Sequence, residues 1–217
     1  RSYQSPVFSI SIRNKCANSS FTSSQTIFGR YLPSTVIGLA FELRSSRLAK
    51  IIDGNKIAKS IRGKVKRRVK TLSRPPGLAV IQLGKDPAST VYVNNKIKDC
   101  HRVNFHSEVH RLDENVSQND VLELVDRLNN LQKIDGILLQ MPTPNHIDGQ
   151  SVIDTILPTK DVDGLSSANQ GRLLIGRHQV TPCTPTGIIR LLDEIGLDIT
   201  GKKAVCIGRS TLVGKPT

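Results

Sequence analysis

The sequence predicts an α/β protein: a domain built on a parallel sheet, followed by the start of a second strand-and-turn unit. Three observations carry this. Residues 78–83 and 136–139 are short, nearly unbroken apolar runs, as expected of strands buried on both faces. Stretches with apolar residues every three or four positions separate them, and that alternation is the pattern of a parallel sheet with crossover helices. Finally, the apolar run at 203–207 reads as a further buried strand that passes directly into the glycine-bearing segment 208–214.

Each element has its own justification. Residues 1–50 are rich in Ser and Arg, carry seven basic residues against Glu42 alone, and show no sustained period. That composition is expected of an organellar transit peptide, mitochondrial first and chloroplast as the alternative, or of a disordered basic leader. Ile57, Ile61, Val65 and Val69 then recur every four residues among Lys and Arg, which predicts an amphipathic helix with a basic face. Arg74, Pro75, Pro76 and Gly77 interrupt the chain before the first buried strand. The turn Gly84-Lys85-Asp86-Pro87 leads into a helix with Ser89 or Thr90 as its N-cap.

Residues 105–112 alternate as a second strand. Ser117 and Asp120 form a capping box for a helix whose inner face is Val121, Leu124, Val125 and Leu128. The run ending at Gln140 is the third strand, and a short helix follows at 152–157. Residues 158–185 read as loop, with the domain boundary near their end. Thr184 caps a further helix with Pro185 in its first turn, and Gly196 ends it. The expected organisation is a leader over 1–50, a first domain over 51–183, and an incomplete second domain over 184–217.

The formal net charge of +13 belongs to the N-terminal third. Residues 51–74 hold nine basic groups against Asp53, whereas residues 75–217 hold 15 basic and 16 acidic groups. A neutral body argues against RNA or an anionic membrane surface as partner, although a basic RNA- or membrane-binding protein stands as an alternative function. No apolar run approaches the roughly 20 residues needed to span a bilayer. Cys16, Cys100, Cys183 and Cys206 are scattered, so neither a disulfide framework nor a zinc site is expected. His101, His106 and His110 lack acid or Cys partners at metal-site spacing and read as surface residues; no metal is expected.

Two places carry chemistry. The strand at 136–139 delivers Gln140, an amide that both donates and accepts, to the carboxyl end of the sheet, where ligands of such sheets bind. Pro142 and Pro144 then stop pairing and stiffen the exit. In the first helix after a strand, Val93, Ile97 and Cys100 share the core face, and Tyr92 and Lys96 stack one turn apart on its flank. An aromatic face beside an amine suits a flat heterocycle and a moving proton. A lysine doing this needs partial burial or a neighbouring dipole such as Gln140. A half-buried Tyr with a surface Lys, and a Gln140 that only satisfies loop amides, are the competing structural readings.

Several motifs occur in one order: Pro87-Ala88-Ser89 with Tyr92-Val93-Asn94-Asn95-Lys96, then Asp135-Gly136-Ile137-Leu138-Leu139-Gln140-Met141-Pro142. Lys160-Asp161-Val162-Asp163-Gly164, Gly171-Arg172-Leu173, Pro182-Cys183-Thr184-Pro185 and Gly208-Arg209-Ser210 to Gly214-Lys215-Pro216 follow. From about residue 51 onward the chain resembles the bifunctional methylenetetrahydrofolate dehydrogenase/cyclohydrolase family, with Met141 in place of the usual Leu and Asn104 in place of a usual Gly. The resemblance implies a Rossmann-like NAD(P)-binding domain after the parallel-sheet catalytic domain. It implies tetrahydrofolate substrates, NADP or NAD as cofactor, and a homodimer. Tyr92 would stack on the pterin, Lys96 would be the catalytic amine, Gln140 would hold and tune it, and Asp163 would bind the pterin's amino and ring N–H edge beside Met141. Cys183, held between prolines, would be structural. Gly208, Arg209, Ser210 and Gly214 would lie near the adenosine phosphate. The rest of the cofactor domain and most family dimer contacts are expected beyond residue 217, so a catalytically silent interaction domain is the other alternative.

Overall fold

Strands β1 (Phe8–Lys15), β2 (Thr22–Gly29) and β3 (Gly38–Phe41) open the chain in the computed structural model, which describes residues 8–15, 22–29, 38–41 and 51–217. They pair antiparallel, β1 with β2 and β2 with β3. A leader without regular structure was expected here. The sequence itself holds the reason for the difference: Phe8, Ile10 and Ile12 alternate with Ser9, Ser11 and Arg13, a strand period beneath a Ser- and Arg-rich composition. The remainder of the expected leader, including Cys16, lies outside the described residues.

The rest of the chain runs α1 (Gly54–Val69), β4 (Gly77–Leu83), α2 (Pro87–Arg102), β5 (His106–Leu112), α3 (Gln118–Asn130) and β6 (Gly136–Leu139). It continues through α4 (Gly149–Thr155), α5 (Ser167–Leu174), α6 (Cys183–Glu194) and β7 (Lys203–Ile207). Two units result, one of residues 60–183 and one joining residues 1–59 to 184–217. In the second, β7 pairs antiparallel with β1, giving the order β3-β2-β1-β7. The burial expected of β7 is not found: Val205 is 50% exposed and Ile207 59%. An apolar run marks a strand, but the elements stacked on it decide whether it is buried.

In the unit of residues 60–183, β4 is the centre of a parallel sheet of order β5-β4-β6. Gly77 faces His106 and Leu78 faces Gly136, and both registers continue to the ends of the shorter strands. The unbroken apolar runs have a direct cause, because helices cover both faces. Ala79, Ile81 and Leu83 join Ile137 and Leu139 against Val121, Leu124, Val125 and Leu128 of α3 and Val152 and Ile153 of α4. On the other face, Val80 and Leu138 pack on Val93 of α2. Residues i and i+2 of one strand thus enter one layer and the intervening residue enters the other.

Local signals set the element ends. Asp86, rather than Ser89 or Thr90, caps α2: its carboxylate accepts from Ser89 N at 2.7 Å, and Pro87 occupies the first helical position. Ser117 accepts from Asp120 N at 3.1 Å and its hydroxyl donates to the Asp120 carboxylate at 2.7 Å, the expected box. Asp148 caps α4 and starts it earlier than periodicity suggests. Asn104, where the resemblance implies a Gly, has φ 64°, a left-handed conformation that Asn tolerates. Before the sheet, Arg74 holds Asp135 through two 2.7 Å bonds, and Gly77 N donates to the same carboxylate at 2.8 Å. This clamp ties the entry of β4 to the entry of β6.

Candidate active site

At the carboxyl end of β6, the backbone of Gln140 keeps the sheet register by donating to Ile81 O at 2.8 Å. Its side chain leaves the core and makes two opposed bonds. Lys96 Nζ donates to Gln140 Oε1 at 2.9 Å, and Gln140 Nε2 donates to Met141 O at 2.7 Å. The second bond decides which end of the amide faces the amine. Ser89 Oγ also donates to Met141 O, at 3.4 Å. The Met141–Pro142 bond is cis, and the Met141 side chain is exposed beside the site.

Helix α2 supplies Lys96 by the expected arithmetic. Val93 and Cys100 are buried, which fixes the roll of the helix. Tyr92 and Lys96 fall on its flank and are both half-buried. An amine and an aromatic ring therefore stand at the sheet edge where Gln140 emerges, and the first two chemistry-bearing places of the sequence are one place in the fold.

Asp163 faces the same lysine. Burial pushes its carboxyl above the ordinary carboxylate range, the positive charge of Lys96 opposes that, and the charge of Asp161 adds to it. Cys183 stands beside it, with its sulfur 3.8 Å from Asp163 Oδ1 and 3.8 Å from Val162 O. Desolvation, then the charge of Asp163, push the Cys183 thiol up. A raised thiol carries less thiolate near neutral pH and is a poorer nucleophile there.

The loop that presents Asp163 is built on Asp161, which sequence reasoning passed over. Asp161 Oδ1 accepts from Gly164 N at 3.0 Å and Leu165 N at 3.3 Å. Its Oδ2 accepts from Ser166 N at 2.9 Å and from Asn169 Nδ2 at 2.9 Å. Gly164 takes φ 65°, which a side chain would resist. Residues 158–185 were expected to be loop, yet Ser166 caps α5 inside them by accepting from Asn169 N. The available signal was a Ser cap followed by a buried Asn rather than an apolar stripe.

The expected cofactor residues lie in the other unit. Beyond β7, Gly208 has φ 141° and Ser210 Oγ accepts from Val213 N at 3.2 Å and Gly214 N at 3.5 Å. A Cβ on Gly214 would strike Gly208 O, so this turn closes only with glycine there. Arg209 and Ser210 are exposed. Close glycine backbone beside an exposed guanidinium suits a phosphate. Among the described residues no group of three His, Cys, Asp or Glu is arranged to hold a metal ion, and Cys100, Cys183 and Cys206 are free thiols. No described helix is long and apolar enough to cross a membrane.

The chain is similar to known proteins in sequence and fold. Residues 52–163 match the tetrahydrofolate dehydrogenase/cyclohydrolase catalytic domain, and residues 182–217 match the NAD(P)-binding domain of the same name. The bifunctional protein FolD of Moorella thermoacetica is 53% identical over 171 residues, covering 77% of this chain and 61% of that protein. The crystal structure of the bifunctional enzyme FolD from Campylobacter jejuni superposes with a TM-score of 0.72 at 37% identity, covering 76% of this chain and 60% of that one. The Trypanosoma brucei methylenetetrahydrofolate dehydrogenase-cyclohydrolase, solved with NADP and an inhibitor, gives 0.70 at 34% identity over 76% and 58%. The chain thus spans about 60% of the length of the relatives it matches. These relatives also correct the mitochondrial assignment and its chloroplast alternative. Bacterial FolD enzymes are among its relatives at 46–53% identity, and a basic, acid-poor stretch is not specific to an organelle.

Proposed function

The chain belongs to the tetrahydrofolate dehydrogenase/cyclohydrolase family, and on that premise we propose that Lys96, Gln140 and Asp163 form the folate site of a one-carbon enzyme. The whole protein would oxidise 5,10-methylenetetrahydrofolate to 5,10-methenyltetrahydrofolate and hydrolyse the latter to 10-formyltetrahydrofolate. Residues 51–183 would be the folate domain and residues 184–217 the start of the NAD(P) domain. The Lys96–Gln140 hydrogen bond carries the reading.

Each residue has a task that its surroundings allow. The face of Tyr92 takes the pterin, and the exposed Met141 side chain borders it. Asp163 accepts from the pterin's amino group and ring N–H; burial strengthens those bonds while making the bare carboxylate costly. Gln140 holds the Lys96 amine at one position, and the Met141 carbonyl keeps Gln140 from turning over. When water attacks the methenyl carbon, Lys96 takes up and returns the protons that let the C–N5 bond break, leaving the formyl group on N10.

NAD(P), when bound, accepts the hydride that leaves the one-carbon bridge. Gly208 and Gly214 would admit its phosphates close to the backbone, with Ser210 as a hydrogen-bonding partner and Arg209 as a counter-charge. We extend the homodimer implied by the family to the whole protein.

The test is calorimetric titration of the purified chain with 5,10-methenyltetrahydrofolate, together with the rate at which the methenyl absorbance disappears. Saturable binding with hydrolysis above the buffer rate is expected. Absence of both overturns the reading.

A further inference from the structure

We propose that Asp161 is a positioning residue: its carboxylate gathers the amides of Gly164, Leu165 and Ser166 and the side-chain amide of Asn169, and so presents Asp163 to Lys96. This rests on the folate-site reading above and adds to it a residue that touches no substrate.

Two observations separate Asp161 from an ordinary turn aspartate. First, it is only 2% exposed, and its four donors come from both its own loop and α5. Asn169, itself 2% exposed, also donates to Pro158 O at 2.9 Å, so the carboxylate is tied to both ends of the segment 158–169. Second, the residues around Asp163 are held from other directions. Ile137 N donates to Lys160 O at 2.7 Å, which lays the start of the loop beside β6. Lys160 Nζ donates to the carbonyls of Leu128, Asn129 and Leu131 at the end of α3. Val162 packs where a Cβ on Gly136 would stand. The chain entering Asp163 is fixed by β6 and α3, and the chain leaving it is fixed by Asp161. The acid is thereby aimed by bonds that it does not make itself.

A buried carboxylate with four N–H donors is strongly held, and its charge also acts on its neighbour. The groups that act on Asp163 are Lys96 from α2, Asp161 on its own loop and Cys183 at the start of α6. Asp161 also raises the Cys183 thiol, after desolvation, Asp163 and the opposing Lys96. Cys183 therefore reports on the loop without any need for catalysis.

The experiment compares the full chain with Asp161→Asn and Asn169→Ala. It follows alkylation of Cys183 by iodoacetamide against pH, resolved by peptide mass spectrometry, and affinity for 5,10-methenyltetrahydrofolate. In Asp161→Asn the Cys183 profile should move to lower pH while the rates at Cys100 and Cys206 stay as they were. Affinity should fall about tenfold or more, the scale of a lost hydrogen bond to a charged group. Asn169→Ala keeps the carboxylate but removes one donor, and should lose affinity in the same direction to a smaller extent. Removing the Asp161 charge by itself moves the Cys183 profile, so the deciding readout is Asn169→Ala, which keeps that charge: a merely structural role would lower its melting temperature and leave its affinity as in wild type.

Unchanged affinity in a folded Asp161→Asn overturns the proposal. Should that variant not fold, wild-type affinity in Asn169→Ala overturns it instead. A wild type that binds no folate, with a Cys183 profile that moves in Asn169→Ala although the Asp161 charge is kept, would sink the folate reading and leave the loop assignment standing.

Discussion

Lys96 and Gln140, 44 residues apart, meet through a 2.9 Å bond from the amine to the amide oxygen. The other end of that amide is spent on Met141 O at 2.7 Å, so the oxygen stays on the lysine. Gln140→Leu removes the acceptor but keeps the backbone bond to Ile81. Methenyltetrahydrofolate hydrolysis should fall about 10- to 100-fold, the scale of a hydrogen bond to a charged group, with an unchanged circular dichroism spectrum. A variant that hydrolyses at the wild-type rate would show that the amide does not hold the amine.

At Asp163, stability and the proposed folate contact oppose each other. Burial raises its carboxyl, so the folded chain holds that proton more tightly than the unfolded one. As pH rises from the unfolded value through the raised folded value, this group takes stability away, and above both the whole cost remains. Asp163→Asn should therefore melt higher than wild type at pH 7, with the difference shrinking on acidification, and should bind 5,10-methenyltetrahydrofolate much more weakly. Thermal melts across pH check the first part and calorimetry the second. A lower melting temperature at pH 7 would contradict the assigned cost of burying this charge.

Much of this site was legible before the structure. Buried strands show as unbroken apolar runs because helices cover both faces, so Val80 and Ile81 both had to be apolar. That Tyr92 and Lys96 share a flank followed from Val93, Ile97 and Cys100, since core residues fix the roll of a helix, but spacing alone favoured a surface lysine there and their proposed roles came through resemblance. Asp163 came only through resemblance, as nothing in periodicity marks a loop carboxylate. Asp161 escaped notice for a related reason: its partners are mostly backbone amides, which every residue carries. Helix α5 was missed because its start is written in polar residues, Ser166 and Asn169. Lys203–Ile207 was recognised as a strand, but its exposure depends on what covers it.

On β5, Glu108 is held by Lys133 first and then by His106, which bring its carboxyl down to about 2. A depressed acid stabilises the fold above its unfolded value and loses that contribution as pH falls through the folded one. Glu108→Gln should thus narrow the difference in stability between pH 5 and pH 2, because the group that titrates there is gone. Urea unfolding at the two pH values measures this. An identical pH dependence in the variant would mean that Lys133 and His106 do not hold Glu108 in solution.

Gly136 lets the segment carrying Asp161 and Asp163 approach β6, since a Cβ there would strike Val162. Gly136→Ala should destabilise the chain by about 1–3 kcal/mol, the usual scale of overpacking. It should also weaken folate binding more than an equally destabilising change elsewhere in the core, such as Val125→Ala. Chemical denaturation and calorimetry on the pair decide this. Equal losses of affinity in the two variants would detach the loop from the site.

In the proposed mechanism the Lys96 amine moves the protons of the hydrolytic step. Lys96→Met keeps the length and apolar stem of the side chain and removes the amine alone. Its rate of 5,10-methenyltetrahydrofolate hydrolysis, measured beside wild type on chains of equal melting temperature, is the most direct test. A loss of about 10²- to 10⁴-fold is expected, the contribution typical of a positioned general acid–base group, with folate still bound through Tyr92 and Asp163. Hydrolysis within a few-fold of wild type would contradict it.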